Sequence, residues 1–159
     1  MKETVKKTRV KRKSVVTANG YTTLNGYFKV QSGLLSILQR NINKGVNTLL
    51  LGSTGVGKTE LVSNIAQDMN LPLTIFDMGT MSDPIMSLVG THVIKYEDGK
   101  TTSKFVRSRF SDIIQQPGII LLDELSRAHP EAWNILMTVV DESQRYLRID
   151  ESPNTPVVK

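Results

Sequence analysis

The chain has 159 residues, enough for one domain with a substantial hydrophobic core. It contains no cysteine and only two histidines, which excludes disulfides, thiolate metal sites and a histidine-rich metal centre. The formal net charge is +5, but seven lysines and arginines and one glutamate lie within the first thirteen residues, so the remainder is nearly neutral. Because we find no apolar run of membrane-spanning length and no signal peptide, we expect a cytoplasmic protein that does not bind membranes.

The basic N-terminal segment, residues 1–20, is predicted to be a disordered tail. Its lysines and arginines could bind nucleic acid or an acidic partner. The alternative is a solvated terminus without a ligand. Residues 21–159 are predicted to form the folded α/β core.

A helix and a short strand are the first elements predicted in this core. Helical spacing of apolar residues begins after Ser32 and ends at Gly45, where a left-handed cap is expected. Residues 46–51 form a short apolar run, which is typical of a buried parallel strand. The adjacent Tyr27 and Phe28 could pack on a nucleotide base, or they could belong to the core.

Residues 52–59 fit the pattern G-x-x-x-x-G-K-[ST], which is typical of a phosphate-binding loop. The glycines let consecutive backbone N–H groups point inwards at phosphate oxygens, and a predicted helix over residues 60–69 adds its N-terminus. Lys58 would reach the β- and γ-phosphates, and the Thr59 hydroxyl would coordinate Mg²⁺. The predicted nucleotide-binding residues are Gly52, Ser53, Thr54, Gly55, Val56, Gly57, Lys58, Thr59 and Glu60.

The middle of the chain is predicted to contain a second strand, a short helix, a β-hairpin and another helix. These elements are placed at residues 71–77, 83–90, 92–106 and 111–116. Asp83 followed by Pro84 is typical of a helix start, and the Asp98-Gly99 pair is typical of a tight hairpin turn.

Four apolar residues, 119–122, precede Asp123 and Glu124 and predict a strand buried on both faces. The carboxylates would lie at the carboxyl edge of the sheet, where open α/β sheets bind ligands. Asp123 would hold Mg²⁺ together with Thr59, and Glu124 would act as the general base on the attacking water. Adjacent strand residues point to opposite faces, so this arrangement requires a twisted strand end. The alternative is a solvated strand end.

The last predicted elements are a helix over residues 130–141 and a strand over residues 146–149. The core stripe of this helix is predicted to contain Trp133, Leu136, Val139 and Val140. Three arginines could act at a phosphate or form only local or solvated contacts: Arg107, Arg109 and Arg127. His129 is expected to be a polar cap neighbour of the helix.

The phosphate loop together with residues 119–149 resembles the AAA+ ATPases, and most closely their MoxR-like branch, which includes the ATPase subunit of cobalt chelatase. The branch pattern is carried by Asp123, Glu124, Arg127, Ala128 and Pro130. Residues 76–90 are similar to the second strand of that family and the segment after it. The predicted hairpin is similar to the family's insert in the second helix. The resemblance covers about residues 30–149.

This resemblance implies a P-loop NTPase fold with three αβα layers, a parallel sheet and a β-hairpin insert. It implies Mg²⁺-dependent hydrolysis of ATP, with Lys58 and Thr59 at the phosphates, Asp123 at Mg²⁺ and Glu124 as the base. It also implies a ring, usually of six subunits. Members of the family remodel or activate partner proteins, often ones with a von Willebrand A-type domain.

Several parts of the family pattern cannot be placed in this sequence: the fourth strand with its sensor asparagine, the arginine finger, the fifth strand and the helical lid. In the family's strand order, 5-1-4-3-2, the fourth strand separates the phosphate-loop strand from the Asp-Glu strand. We therefore expect two unpaired edges, and a chain that is a fragment or needs a second chain. The alternatives are a nucleotide-binding module without turnover and a nucleic-acid motor subunit that uses the basic tail.

Overall fold

The computed structural model describes residues 15–16 and 19–149. Most of the predicted tail, and residues 150–159, lie outside this part. The chain divides into two compact units, Met1–Pro72 and Leu73–Lys159. Within the described ranges, no helix is long and apolar enough to cross a membrane.

The first unit combines a small antiparallel sheet with two helices. Its elements are β1 (Val15–Val16), β2 (Tyr21–Leu24), β3 (Phe28–Gln31), α1 (Ser32–Lys44) and α2 (Lys58–Met69). β2 lies between β1 and β3 in the sheet. β1 falls within the segment predicted as a tail, and it pairs with β2 through Val15 and Thr23.

The core of the first unit lies between this sheet and the two helices. Its buried residues are Leu24, Val30, Leu35, Leu38, Leu61 and Ile65. The predicted end of α1 is confirmed, because Gly45 adopts φ 65° and its N–H donates to the Ile42 carbonyl at 3.1 Å. α2 confirms the helix predicted after the phosphate loop.

Residues 46–51 form no strand, so the prediction of a buried parallel strand is wrong. Leu51 is 85% exposed, whereas Leu50 packs against the core of the first unit. An apolar run becomes a strand only when a neighbouring strand completes its backbone hydrogen bonds. None of the three sheets among the described residues includes this run. The neighbour implied by the AAA+ resemblance is the fourth strand, to which we could assign no segment of this sequence.

The second unit contains a parallel strand pair, a hairpin and three helices. Its elements are β4 (Leu73–Asp77), α3 (Pro84–Leu88), β5 (Gly90–Glu97), β6 (Lys100–Arg107), α4 (Arg109–Ile113), β7 (Ile119–Asp123), a 3₁₀ turn (Leu125–Arg127) and α5 (Pro130–Val140). β4 and β7 are parallel, with Leu73 opposite Ile119 and Asp77 opposite Asp123. This pairing agrees with the strand order implied by the resemblance.

The predicted hairpin and the predicted start of the short helix are both confirmed. β5 and β6 pair along their whole length, from Gly90 and Arg107 to Glu97 and Lys100. Asp98 and Gly99 connect them with φ values of 52° and 73°, the left-handed geometry of a type I′ turn. The Asp83 side chain accepts a hydrogen bond from the Met86 N–H at 2.9 Å and caps α3.

The core of the second unit lies where α3, α4 and α5 pack together with the segment after β4. Its buried residues are Met78, Leu88, Phe110, Ala132, Leu136, Leu147 and Ile149. The Phe76 and Phe110 rings meet edge to face, with centroids 5.3 Å apart.

Four predictions for this unit need correction. β7 is half-buried along its length and not buried on both faces, because its sheet has only two strands among the described residues. Trp133 and Val140, both predicted in the core stripe of α5, are exposed, with Trp133 at 42%. Helical spacing places residues on one face of the helix but does not decide how much of that face is covered. α4 begins and ends earlier than residues 111–116. Residues 146–149 form only an isolated bridge at Leu147.

Candidate nucleotide-binding site

The phosphate loop combines left-handed backbone with a lysine at the start of a helix. Gly55 and Gly57 have φ values of 80° and 87°, a region where a side chain is unfavourable. Lys58 is the first residue of α2, and its Nζ donates to the carbonyl oxygens of Gly52 and Ser53 at 3.0 and 3.1 Å. The ammonium group therefore lies against the loop backbone, within the stretch that the motif predicts to bind phosphate.

The first turn of α2 presents the positive end of a helix to this loop. Gly57 is the N-cap residue and makes no side-chain cap hydrogen bond. The first N–H groups of a helix have no partner within the helix, and its dipole favours an anion at this end. Gly52 and the four residues after it are exposed. This arrangement can bind the phosphates of a nucleotide.

The Glu60 side chain makes contact with the turn between β2 and β3. Its Oε1 accepts hydrogen bonds from the Tyr27 hydroxyl at 2.8 Å and from Asn64 Nδ2 at 2.9 Å. The hydrogen bond to the Glu60 carboxylate raises the pKa of Tyr27 above its ordinary value. Of the two aromatic residues considered above, Phe28 packs against the core, while Tyr27 is 66% exposed. The contact by which Glu60 would meet a nucleotide remains a prediction.

The two predicted carboxylates lie in a tight turn after β7. Glu124 has φ 51° and ψ 37°, so the strand geometry ends at Asp123. Asp123 Oδ1 accepts the Glu124 N–H at 3.0 Å, and the Glu124 carbonyl accepts the Arg127 N–H at 2.8 Å. A left-handed residue redirects the chain. The alternation of side-chain directions along a strand therefore does not extend to Glu124. A left-handed residue takes the place of the twisted strand end that we predicted.

Arg127 forms a local ion pair with the predicted catalytic carboxylate. Its Nε lies 3.4 Å from Glu124 Oε2, and both side chains are substantially exposed. This contact confirms the local alternative considered for Arg127. An exposed pair of this kind contributes little to stability, about 0–1 kcal/mol, so it can open without a large cost.

The end of β4 packs directly against this turn. The Asp123 carbonyl accepts the Met78 N–H at 2.9 Å. A Cβ placed on Gly79 would lie 3.3 Å from the Cβ atoms of both Glu124 and Arg127. Asp77 lies opposite Asp123, and its Oδ1 accepts the Gly79 N–H at 3.0 Å. Our sequence reasoning gave Asp77 no role, although an acid at the end of each of two neighbouring parallel strands was a usable signal.

The remaining candidates occupy positions beside these elements. His129 Nδ1 accepts the Glu131 N–H at 3.4 Å and caps α5, which confirms its predicted role as a cap neighbour. Arg107 ends β6 and Arg109 begins α4, and any role of either at a phosphate remains a prediction.

No cluster of three or more metal-ligating side chains occurs within residues 15–16 and 19–149. Mg²⁺ bound to a nucleotide needs only one or two protein oxygen ligands in addition to phosphates and water. The Thr59 hydroxyl and the Asp123 carboxylate are oxygen donors of that kind. Each of these side chains could therefore serve as a ligand of a metal that arrives with its nucleotide.

The candidate residues are divided between the two units. Gly52 to Glu60 belong to the first unit, and Asp123 and Glu124 belong to the second. A glycine-rich loop that opens a helix, and a parallel strand that ends in two carboxylates, together define the class of P-loop NTPases.

The family model of the AAA domain, dynein-related subfamily, matches residues 47–154, a range that contains both the loop and the carboxylates. The chain belongs to this AAA+ family. Its fold class is α/β with the αβα core of P-loop NTPases, of which the parallel pair β4–β7 is the described part of the sheet.

Curated relatives of the chain are named as chaperones. It is 32% identical over 125 residues to BssE of Thauera aromatica, a protein named as a candidate chaperone. That alignment covers 75% of this chain and 42% of BssE. Chaperone protein ClpB of Bacillus cereus is 34% identical over 103 residues, and ClpB 1 of a Nostoc species is 36% identical over 104 residues. Each of these two alignments covers 60% of this chain and 11% of the relative.

Proposed function

We propose that the chain binds ATP and hydrolyses it with Mg²⁺, as part of an AAA+ ATPase that acts on partner proteins. The observation that carries the proposal is the phosphate loop, in which the Lys58 ammonium lies against the loop backbone at the start of α2. Membership of the AAA domain family supports the same function.

Each predicted site residue has a distinct part in this proposal. Lys58 and the loop N–H groups would bind the β- and γ-phosphates. Thr59 and Asp123 would hold Mg²⁺, which supplies neutralisation of phosphate charge. Glu124 would orient and deprotonate the attacking water, and its exposed pairing with Arg127 would have to open or shift.

The partner of the ATPase is proposed to be a protein. The relatives BssE and ClpB carry the word chaperone in their names, which supports work on other proteins. The MoxR-like pattern around Asp123, Glu124 and Arg127 favours a ring of six subunits and a substrate with a von Willebrand A-type domain. We place this activity in the cytoplasm.

A nucleotide-binding module without turnover is the second candidate. It is favoured by the Glu124–Arg127 ion pair, which engages the carboxylate that would act as the base. A nucleic-acid motor was a third hypothesis. The basic residues that suggest it lie outside the described residues, so no observed contact supports it.

Measuring nucleotide binding and turnover separately tests the proposal. The chain should bind MgATP, and Glu124→Gln should retain binding while turnover falls about 10²- to 10⁴-fold. Lys58→Ala should lose binding by roughly 10²-fold, because charge-assisted hydrogen bonds to phosphate are lost. Lys44→Ala, at the last residue of α1, controls for the loss of one lysine.

The outcomes separate the two candidates. Binding without any Glu124-dependent hydrolysis would favour the module. If neither nucleotide nor Mg²⁺-nucleotide bound to the wild-type chain, both candidates would be wrong.

A further inference from the structure

We propose that the turn between β2 and β3 positions the phosphate loop, through side chains that reach the first two turns of α2. This inference rests on the proposed nucleotide binding and deepens it. It assigns Asn25, Tyr27 and Asn64 as positioning residues, which act through Glu60 and the helix backbone and do not themselves contact phosphate.

Within the loop, the Lys58 ammonium donates hydrogen bonds to the Gly52 and Ser53 carbonyls. Gly55 and Gly57 are free to adopt many backbone angles, and the α2 N-cap has no side-chain hydrogen bond. Contacts from elsewhere in the unit also reach the first two turns of α2. Those contacts come from residues more than 30 positions earlier in the chain.

A chain of short hydrogen bonds joins the turn to α2. The Tyr27 hydroxyl donates to Glu60 Oε1 at 2.8 Å. Asn64 Nδ2 donates to the same carboxylate oxygen at 2.9 Å and to the Glu60 carbonyl at 2.8 Å. Asn25 Nδ2 donates to Asn64 Oδ1 at 2.6 Å. Asn64 is only 1% exposed, so water cannot easily replace its three side-chain hydrogen bonds, whereas the Tyr27–Glu60 bond is exposed.

The turn that supplies these side chains is itself constrained. Asn25 and Gly26 have φ values of 52° and 83°, and the Tyr27 N–H donates to the Leu24 carbonyl at 3.1 Å. Phe28, the next residue, lies beside the loop, since a Cβ on Gly57 would be 3.8 Å from its Cε2 atom. The turn therefore meets both the loop and the helix that follows it.

The opposite end of α2 offers a matched control. Gln39 Nε2 donates to Asp68 Oδ2 at 3.0 Å and joins α1 to α2. Asp68 lies eight residues after Glu60, which corresponds to roughly 12 Å along the helix. Like loss of the Tyr27–Glu60 bond, loss of the Gln39–Asp68 bond removes one hydrogen bond between two elements of the unit. The Gln39–Asp68 bond, however, lies far from the phosphate loop.

The experiment compares MgADP affinity and thermal stability in the same set of variants. Tyr27→Phe keeps the ring and removes only the hydroxyl, and it should weaken MgADP binding by about threefold. Asn64→Ala should weaken binding by about tenfold, because it removes three of the hydrogen bonds. Gln39→Ala should lower the melting temperature by about as much as Tyr27→Phe, yet leave MgADP affinity unchanged.

Further variants, measured by the same MgADP affinity, identify how Tyr27 acts. If the hydroxyl works through Glu60, Tyr27→Phe and Glu60→Ala should be non-additive in a double-mutant cycle of MgADP affinity. If Tyr27→Ala weakens binding while Tyr27→Phe does not, the ring contacts the nucleotide and the positioning role is wrong. Because Tyr27 is exposed, Tyr27→Phe should fold even if Asn64→Ala does not.

The two proposals fail in different ways. Wild-type affinity in both Tyr27→Phe and Asn64→Ala would overturn the positioning role and leave the proposed function intact. Equal loss of affinity in Gln39→Ala would also overturn it, because the effect would then be general destabilisation. No MgADP binding by the wild-type chain would overturn the proposed function, and the positioning role with it.

Discussion

The phosphate loop and the turn after β7 both contain left-handed backbone, but different residue types adopt it. In the loop, Gly55 and Gly57 have φ values of 80° and 87° and contribute no side chain. In the turn, Glu124 has φ 51° and is held by the Asp123 carboxylate and by Arg127. The loop thus uses residues without side chains in this backbone region, whereas the turn places a glutamate there, with hydrogen bonds and an exposed ion pair around it.

This difference has a consequence for how each region responds to change. A glycine loop is sensitive to any added Cβ, because positive φ is unfavourable for other residues. The turn after β7 holds a residue with a side chain in the left-handed region, at a cost that a residue better suited to that region would lower. Hydrogen bonds from a backbone N–H to an aspartate carboxylate, like the one at Asp123, also occur elsewhere in the second unit, at Asp77, Asp83 and Asp141.

The largest stability effect is expected from a side chain in the loop. Gly57→Ala should destabilise the fold by about 1–2 kcal/mol and reduce nucleotide affinity, because φ 87° is unfavourable for alanine. Gly33→Ala is the matched control: its Cβ would meet nothing within 4 Å, and in α1 it should stabilise by about 0.5 kcal/mol. Chemical denaturation measures both. Equal changes in the free energy of unfolding at Gly57 and Gly33 would show that the left-handed backbone of the loop is not what makes it sensitive to a side chain.

A smaller effect of opposite sign is expected at the turn. Glu124→Asn should raise the free energy of unfolding by about 0.5–1 kcal/mol, since asparagine adopts left-handed angles more readily than glutamate. Turnover should be lost, because the proposed general base is removed. Arg127→Gln controls for the exposed ion pair and should change stability by less than about 0.5 kcal/mol. Destabilisation by Glu124→Asn would show that Glu124 is not strained.

The smallest effect concerns Asp141, which holds the turn after α5. Hydrogen bonds from the Ser143 hydroxyl and N–H lower its pKa below the ordinary value of 3.8. A lowered folded-state pKa stabilises the protein above the unfolded value, and this contribution is lost as pH falls through the folded value. Asp141→Asn should therefore melt slightly below wild type near neutral pH, and the difference should narrow in acid. Glu142→Gln, at the neighbouring residue, controls for the loss of one negative charge.

The sequence predicted elements whose signals are local. The helix after the loop motif, the Gly45 cap, the Asp83 cap and the Asp98-Gly99 turn each depend on a few adjacent residues, and all are confirmed, with α2 beginning two residues before the predicted start. The family resemblance predicted the parallel pair β4–β7 correctly.

Predictions failed where a distant partner decides the outcome. Residues 46–51 are apolar enough for a strand, but none of the described strands pairs with them. Trp133 lies at helical spacing from the core of α5, yet nothing in that spacing indicates how far the core extends. The left-handed Glu124 could not be foreseen, since glutamate carries no signal for that conformation and the hydrogen bond from its N–H to the Asp123 carboxylate is visible only in three dimensions.

Gly79 has no functional group, but its lack of a side chain lets the turn that carries Glu124 pack closely against it. Space for its missing side chain is taken up by the Cβ atoms of Glu124 and Arg127. Any other residue there would push the turn outwards by a few tenths of an ångström, while every carboxylate and the phosphate loop stayed chemically intact. If Glu124 acts as proposed, substitutions of Gly79 would therefore reduce turnover like substitutions of Glu124 itself, although Gly79 contributes no side chain to the site.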